Sequence, residues 1–169
     1  MRDIYVVGDA NVDIIVPYPR FLNEERTLVD YPNPELVGGG TSANTAVALA
    51  KLGLPVSFLG TIGDDQYGKY IQKDFAEQGV DTTDLIVDPA LNTVGVFAFI
   101  DENGERYLWG WPRVDQAFKV LERDKVPFEK IEAADWVHSS GMSLVYDTSA
   151  RTEIIEIFKK AYEAGVPTS

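Results

Sequence analysis

The stretch "LVGGGTSANTAVALAKLGLP", residues 36–55, joins three consecutive glycines to a helix pattern. Small and apolar residues at helical spacing predict a helix over 41–52, with Thr41 or Ser42 as N-cap and Gly53 as the stop. The predicted helix face consists of Ala43, Ala46, Val47, Ala50 and Leu52. Glycines before a helix favour either close approach of a ligand or close packing of backbone, and the stretch alone leaves both open.

Strand and helix patterns alternate on both sides of this stretch. Apolar runs predict buried strands at 4–7, 56–63 and 136–141, a strand-like run covers 12–16, and a further strand begins at Val166. A helix is predicted at 66–78, with Asp64 or Asp65 as its cap. Another is predicted at 148–164, and its predicted buried residues are Ile154, Ile155, Phe158, Ala161 and Tyr162. This order predicts an α/β fold in which helices flank a parallel sheet.

The segment "TVGVFAFIDENGERYLWGW", residues 93–111, alternates in polarity and turns at Asn103-Gly104, which predicts a β-hairpin. Earlier in the chain, "RTLVDY" at 26–31 predicts a short exposed strand within a polar excursion. Together they predict a second, smaller sheet beside the main one, with strands drawn from about 12–37 and 94–111.

Composition narrows the classes of partner and site. The net charge is −12, from 27 acidic against 15 basic residues, and such a field opposes binding to nucleic acid. The chain has no cysteine and one histidine, so neither a disulfide framework nor an ordinary zinc or other metal site is expected. The first apolar run, "IYVV", is too short for a signal peptide or a membrane span. We therefore expect a cytoplasmic protein that binds neither nucleic acid nor membrane.

Polar side chains close to the glycines predict a ligand site. The glycines are not a P-loop, because no Gly-Lys-Ser/Thr follows, and they lack the GxGxxG order of a dinucleotide site. Asn11 and Asp13 follow the first strand, and Asn44 lies one turn into the helix. Carboxylates and amides are the groups that a polyhydroxy ligand needs in a cleft. The ordinary alternatives are a loop acid for Asp13 and turn or capping amides for the two asparagines.

Other conspicuous side chains have two interpretations each. Phe97, Trp109 and Trp111 alternate on or beside the hairpin, where they could form an apolar wall over a ligand or simply pack the sheet. Arg113 could contact an acidic sugar or be a solvated surface arginine. His138 on a predicted buried strand is interpreted as a core histidine with satisfied hydrogen bonds.

Four segments in order, "VVGDANVDI", "GGGTSANTAVALAKLG", "FLGTIGDDQYG" and "NTVGVFAFIDENGER", resemble the ribokinase-like, or PfkB-type, carbohydrate kinase family. The resemblance covers nearly the whole chain and makes residues 1–169 the N-terminal part of one ribokinase-like domain. It implies that Asp13, Gly39, Gly40 and Asn44 line a sugar site, beside Asn11, and that the small sheet is a lid over it. The ligand would be a sugar or sugar acid, and the lid could form a homodimer, as it does in several relatives.

The same resemblance implies that the catalytic machinery lies elsewhere. In the family, the base aspartate, its anion hole and the ATP and Mg²⁺ sites come from a C-terminal half, so no catalytic residue and little ATP binding are expected within 1–169. The family's ribose kinases carry a glutamate after the strand matching "WVHSSG", where this chain has Gly141, and ribose is therefore disfavoured. The alternative is a standalone sugar-binding or interaction module without catalysis. A small dehydrogenase is disfavoured by the missing fingerprint.

Overall fold

The computed structural model describes residues 3–17 and 33–169. Its strands are β1 (Ile4–Val7), β2 (Asn11–Pro17), β3 (Glu35–Gly39), β4 (Val56–Leu59), β5 (Thr61–Gly63), β6 (Ile86–Asp88), β7 (Gly95–Ile100), β8 (Arg106–Trp111) and β9 (Trp136–Ser139). Its α-helices are α1 (Thr41–Lys51), α2 (Gln66–Gln78), α3 (Phe128–Glu132) and α4 (Ser149–Glu163). The mixed α/β class, with helices on a parallel sheet and a separate small sheet, is confirmed.

The main sheet has the order β4-β1-β9, and both pairings are parallel. Residues after α4 run alongside β9, where the Val137 amide donates to the Pro167 carbonyl at 2.9 Å and the Ser169 amide donates to the Val137 carbonyl at 3.1 Å. The strand predicted from Val166 therefore lies next to β9. Because β1 lies between two neighbours, its carboxyl end at Gly8 and Asp9 is at the centre of this sheet edge.

Helices cover both faces of the main sheet, so its central strand is buried on both sides, as parallel strands are. On one face, Tyr5 and Val7 pack in a cluster with Ile154 and Ile157 of α4. On the other face, Val6 belongs to a cluster with Phe58, Phe75 and the small residues of α1. Fully burying one side chain such as Phe58 or Phe75 contributes about 1.5–3 kcal/mol, so both layers stabilise the position of β1.

The prediction of one strand over 56–63 is wrong, because the structure divides it at Gly60. β4 pairs with β1, whereas β5 pairs in parallel with β6 in a separate two-stranded sheet. β1 ends at Val7, and the Gly8 amide makes the last backbone hydrogen bond to β4, at the Leu59 carbonyl. After Leu59, the segment that follows β4 therefore has no partner strand in the main sheet. It changes direction at Gly60 and pairs with β6 as β5.

The predicted buried face of α4 is correct in part. Ile154 and Ala161 are buried, but Ile155 is 41% exposed and Tyr162 is 82% exposed. The buried stripe instead includes Ala150 and Ile157, at helical spacing from Ile154 and Ala161. Ile155 and Tyr162 lie beside the stripe rather than on it. His138 is half-buried, not a core residue, and its Nδ1 lies 2.9 Å from the Ser169 hydroxyl.

The small sheet has the order β3-β2-β7-β8, with β2 and β7 parallel and the outer pairs antiparallel. The predicted hairpin is present as β7 and β8, and the Gly104 amide closes its turn on the Asp101 carbonyl. The predicted exposed strand at 26–31 lies outside the described residues. Within 3–17 and 33–169, no helix has the length and apolar character required to cross a membrane.

Candidate functional site

A cavity of about 490 Å³ lies where the carboxyl end of β1, the start of α1 and the small sheet meet. This size suits a small-molecule site. Its polar walls come from the segment after β1, from β2, from the start of α1 and from the segment after β8. The predicted site residues among its lining are Asn11, Asp13, Gly40 and Asn44.

Asp13 is a half-buried carboxylate whose orientation is fixed by its neighbour. The Asn11 Nδ2 donates to Asp13 Oδ1 at 2.8 Å. Asp13 Oδ2 forms no hydrogen bond with a described side chain. Burial raises the pKa of the Asp13 carboxyl above its usual value, and the Asn11 hydrogen bond and the Arg106 charge offset that rise only in part. Asp13 therefore offers an acceptor oxygen in a site partly shielded from water.

Two of the three glycines lie where a side chain would collide with neighbouring atoms of the site. A Cβ on Gly39 would lie 2.6 Å from Asn11 Nδ2 and 2.6 Å from Asp13 Oδ1, and a Cβ on Gly40 would lie 2.7 Å from the Asp9 carbonyl oxygen. Gly40 also has a φ of 102°, which disfavours other residues. Gly40 lines the cavity, whereas Gly39 is buried beside it. Gly38 serves packing instead, since a Cβ there would meet Asp74 of α2.

Asn44 is exposed on the first turn of α1 and lines the cavity. Its side chain forms no hydrogen bond with another described residue, while its backbone amide donates to the Gly40 carbonyl at 2.9 Å. The amide group therefore does not cap a helix or a turn here, and it can both donate to and accept from a ligand hydroxyl.

Asp9 is a buried residue of this site that sequence reasoning missed. The predicted cap by Thr41 or Ser42 is wrong: Gly40 occupies the N-cap position and provides no side chain. The Asp9 carboxylate takes that role, accepting from the Thr41 amide at 2.7 Å and from the Ser42 amide at 3.2 Å. A carboxylate at a helix N-terminus satisfies amides that have no intrahelical partner and is favoured by the helix dipole.

Asp9 also joins α1 to the turn that follows β9. Its Oδ1 accepts from the hydroxyls of Ser42, Ser140 and Ser143, at 2.8, 2.9 and 3.3 Å. Asp9 is only 5% exposed, so these donors take the place of the water that would otherwise bind its carboxylate. Two features of the sequence could have pointed to Asp9. It is an acid two residues after a buried parallel strand, and the next predicted helix starts after a glycine that has no side chain to cap it.

Phe97, Trp109 and Trp111 do not line the cavity. Directly paired residues share a face of a sheet, and Phe97 pairs with Trp109 while Val96 pairs with Gly110. Val96 and Gly110 line the cavity, so the three aromatic residues lie on the opposite face. There their rings contact one another, with centroids 5.7 Å apart for Phe97 and Trp109 and 6.0 Å apart for Trp109 and Trp111.

A second cavity of about 340 Å³ lies along α4 and has almost entirely apolar walls. Leu144, Ile154, Ile155, Phe158 and Tyr162 contribute to it. Such walls provide almost no hydrogen-bonding groups for a polyhydroxy ligand. The polar cavity beside β1 is therefore the candidate site.

This fold is α/β, and the candidate small-molecule site is a cavity at the carboxyl edge of its parallel sheet. Residues 1–167 match the model of the pfkB family carbohydrate kinases. The chain belongs to that family.

Individual relatives agree with this assignment. Fructokinase of Vibrio alginolyticus is 35% identical over 167 residues, covering 98% of this chain and 48% of the relative. The 5-dehydro-2-deoxygluconokinase of Bacillus subtilis (strain 168) is 42% identical over 149 residues, covering 87% and 44% of the two chains. The chain thus spans about half the length of the curated relatives it matches.

Solved structures share the fold over a similar extent. The crystal structure of fructokinase from Xylella fastidiosa superposes with a TM-score of 0.83 at 26% identity, over 99% of this chain and 51% of that one. A PfkB protein from Polaromonas sp. JS666 has a TM-score of 0.84 at 19% identity, over 100% and 54% of the two chains, and it supports the fold alone.

Proposed function

We propose that this chain forms the sugar-recognition part of an ATP-dependent kinase that phosphorylates a hydroxyl of a sugar or sugar acid. The observation that carries the proposal is the cavity lined by Asp13 and Asn44. Both side chains have hydrogen-bonding atoms there that form no hydrogen bond with another described side chain. Relatives named fructokinase and 5-dehydro-2-deoxygluconokinase support this class of acceptor.

Each site residue has a distinct role in this proposal. Asp13 accepts hydrogen bonds from ligand hydroxyls, Asn11 holds its carboxylate in place, and Asn44 donates and accepts from the helix side. Gly40 lines the cavity with backbone that a ligand can approach, and Gly39 gives space to the Asn11 and Asp13 side chains. The small sheet covers the cavity as a lid, with Val96, Leu108 and Gly110 facing the ligand.

Phosphoryl transfer also requires a base and groups that stabilise the charge of the transferred phosphoryl. ATP and Mg²⁺ are the partners expected from the family, but in 3–17 and 33–169 no three acidic or histidine side chains come together as a metal site. Because the family resemblance implies that the base and the nucleotide site belong to a C-terminal half, we propose no residue of this chain for ATP, Mg²⁺ or the catalytic base.

The direct test of the proposed site is replacement of Asp13. Asp13→Ala leaves ligand hydroxyls without an acceptor and is expected to weaken sugar binding by about 1–3 kcal/mol. Titration calorimetry with a panel of ketoses, aldoses and sugar acids measures the loss. The control is Asp124→Ala, which removes an exposed acid away from the cavity and should leave affinity unchanged. Equal affinity of the Asp13 variant and the unaltered chain would refute the site.

A further inference from the structure

The charged side chains of the candidate cavity come from two parts of the chain. Asp9 and Asp13 come from the end of β1 and from β2, whereas Arg113 and Lys119 come from the segment between β8 and α3. Among the described residues, none of these four side chains forms an ion pair within 4.0 Å. In a chain of net charge −12, two cations without a carboxylate partner at one cavity are unexpected.

Lys119 is positioned by aromatic rings rather than by an acid. It is half-buried, and its Nζ lies 4.2 Å from the ring centre of Tyr146 and 5.7 Å from that of Phe118. Both rings also line the cavity. An ammonium over an aromatic face is held in place but keeps N–H groups that can donate to an anionic oxygen.

We infer that the acceptor is a polyhydroxy acid, whose carboxylate binds Lys119 and Arg113 while its hydroxyls bind Asp13 and Asn44. This inference rests on the proposed function and names the substrate class of the same site. A ligand that carries both hydroxyls and an anionic group complements a lining that contains two carboxylates and two cations. A neutral sugar would leave the half-buried Lys119 without an anionic partner.

The charge balance favours a carboxylate over a phosphate. The two cations balance the two acids of the lining, so a bound monoanion adds one negative charge to the cavity and a dianion adds two. The field of a chain with net charge −12 increases that difference. Arg113 can in addition bind both oxygens of a carboxylate through its planar guanidinium.

The test is titration calorimetry on the chain of residues 1–169 with matched acid and neutral probes. The pairs are D-gluconate with D-glucitol and D-glucuronate with D-glucose, and D-glucose 6-phosphate represents a phosphate anion. In at least one pair the acid should bind about tenfold or more tightly than its neutral partner. Lys119→Gln and Arg113→Gln should each remove about tenfold of the acid affinity and lower the neutral affinity much less, so that the preference for the acid falls.

Two variants control for loss of positive charge alone. Lys51→Gln removes an exposed lysine at the end of α1, and Arg151→Gln removes an arginine on α4, and neither residue lines the cavity. Both should keep the acid preference, and circular dichroism checks that every variant is folded. Equal affinity for acid and neutral probes, or a preference that survives both site variants, would overturn the inference.

The remaining outcomes separate this inference from the proposed function. Tighter binding of D-glucose 6-phosphate than of either acid would identify a phosphate as the anion and overturn the carboxylate. Neutral sugars that bind in an Asp13-dependent way, without an acid preference, would overturn the inference and leave the proposed function standing. No binding of any probe would contradict both.

Discussion

Single residues of the site have separable structural tasks. Gly39 and Gly40 give space, Asp13 and Asn44 present hydrogen-bonding atoms, and Asp9 holds the start of α1 in place. The last task depends on a charge, because the Asp9 carboxylate accepts from two amides and three hydroxyls while almost fully buried. Asp9 is thus expected to act on stability, and Gly39 on ligand affinity.

Asp9→Asn tests the task of Asp9. The variant replaces one acceptor oxygen by an NH₂ group that faces donors, so the free energy of unfolding should fall by about 1.5–3 kcal/mol. Urea denaturation followed by circular dichroism measures the change. The matched variant Asp124→Asn, at an exposed acid, should unfold like the unaltered chain. A stability of Asp9→Asn equal to that of Asp124→Asn would show that the carboxylate is not needed as a cap.

Gly39→Ala tests whether the glycine provides space for the site. The new methyl group would lie 2.6 Å from Asp13 Oδ1, so the Asn11 and Asp13 side chains must move and sugar affinity should fall about tenfold. Gly141→Ala is the control, because a Cβ there meets no atom within 4 Å. Calorimetry compares the two variants, and an affinity retained by Gly39→Ala would assign the glycine to packing alone.

Among the elements, the small sheet uses its two faces differently. Asp13, Val96 and Gly110 face the cavity. On the other face, Trp109 is 49% exposed and Trp111 is 52% exposed, next to Phe97. Exposed aromatic area of this kind is typical of an interface. We propose that this sheet mediates a homodimer, with these aromatic residues covered by the second copy.

Sedimentation velocity tests the dimer. The chain should sediment as a dimer, and the double variant Trp109→Ser/Trp111→Ser should shift it toward monomer because it removes apolar area from the contact. Trp136→Ser is the control, since Trp136 is 42% exposed on β9, outside the small sheet. A chain that is monomeric at all concentrations, with its small sheet intact, would contradict the proposal.

At the scale of the whole molecule, the sequence predicts which elements exist better than where their side chains point. Helix α2 matches its predicted range and its Asp65 cap, and β1 and the hairpin form where predicted, because periodicity and turn residues are local signals. The division of 56–63 and the contacts of Asp9 depend on residues distant in sequence, such as β6 and Ser140. The sequence leaves two interpretations for the aromatic residues of the hairpin, because only the sheet register decides which face they lie on.

The central claim is that residues 1–169 contain the acceptor site and not the complete machinery of phosphoryl transfer. A coupled ADP-release assay tests it most directly, run on the purified chain with its mass verified, with ATP, Mg²⁺ and a panel of sugars and sugar acids. Loss of positioned bases and charge-stabilising groups lowers rates by several powers of ten, so we predict no ADP release above the protein-free control. Sugar-dependent ADP release by protein of that verified mass would contradict the claim.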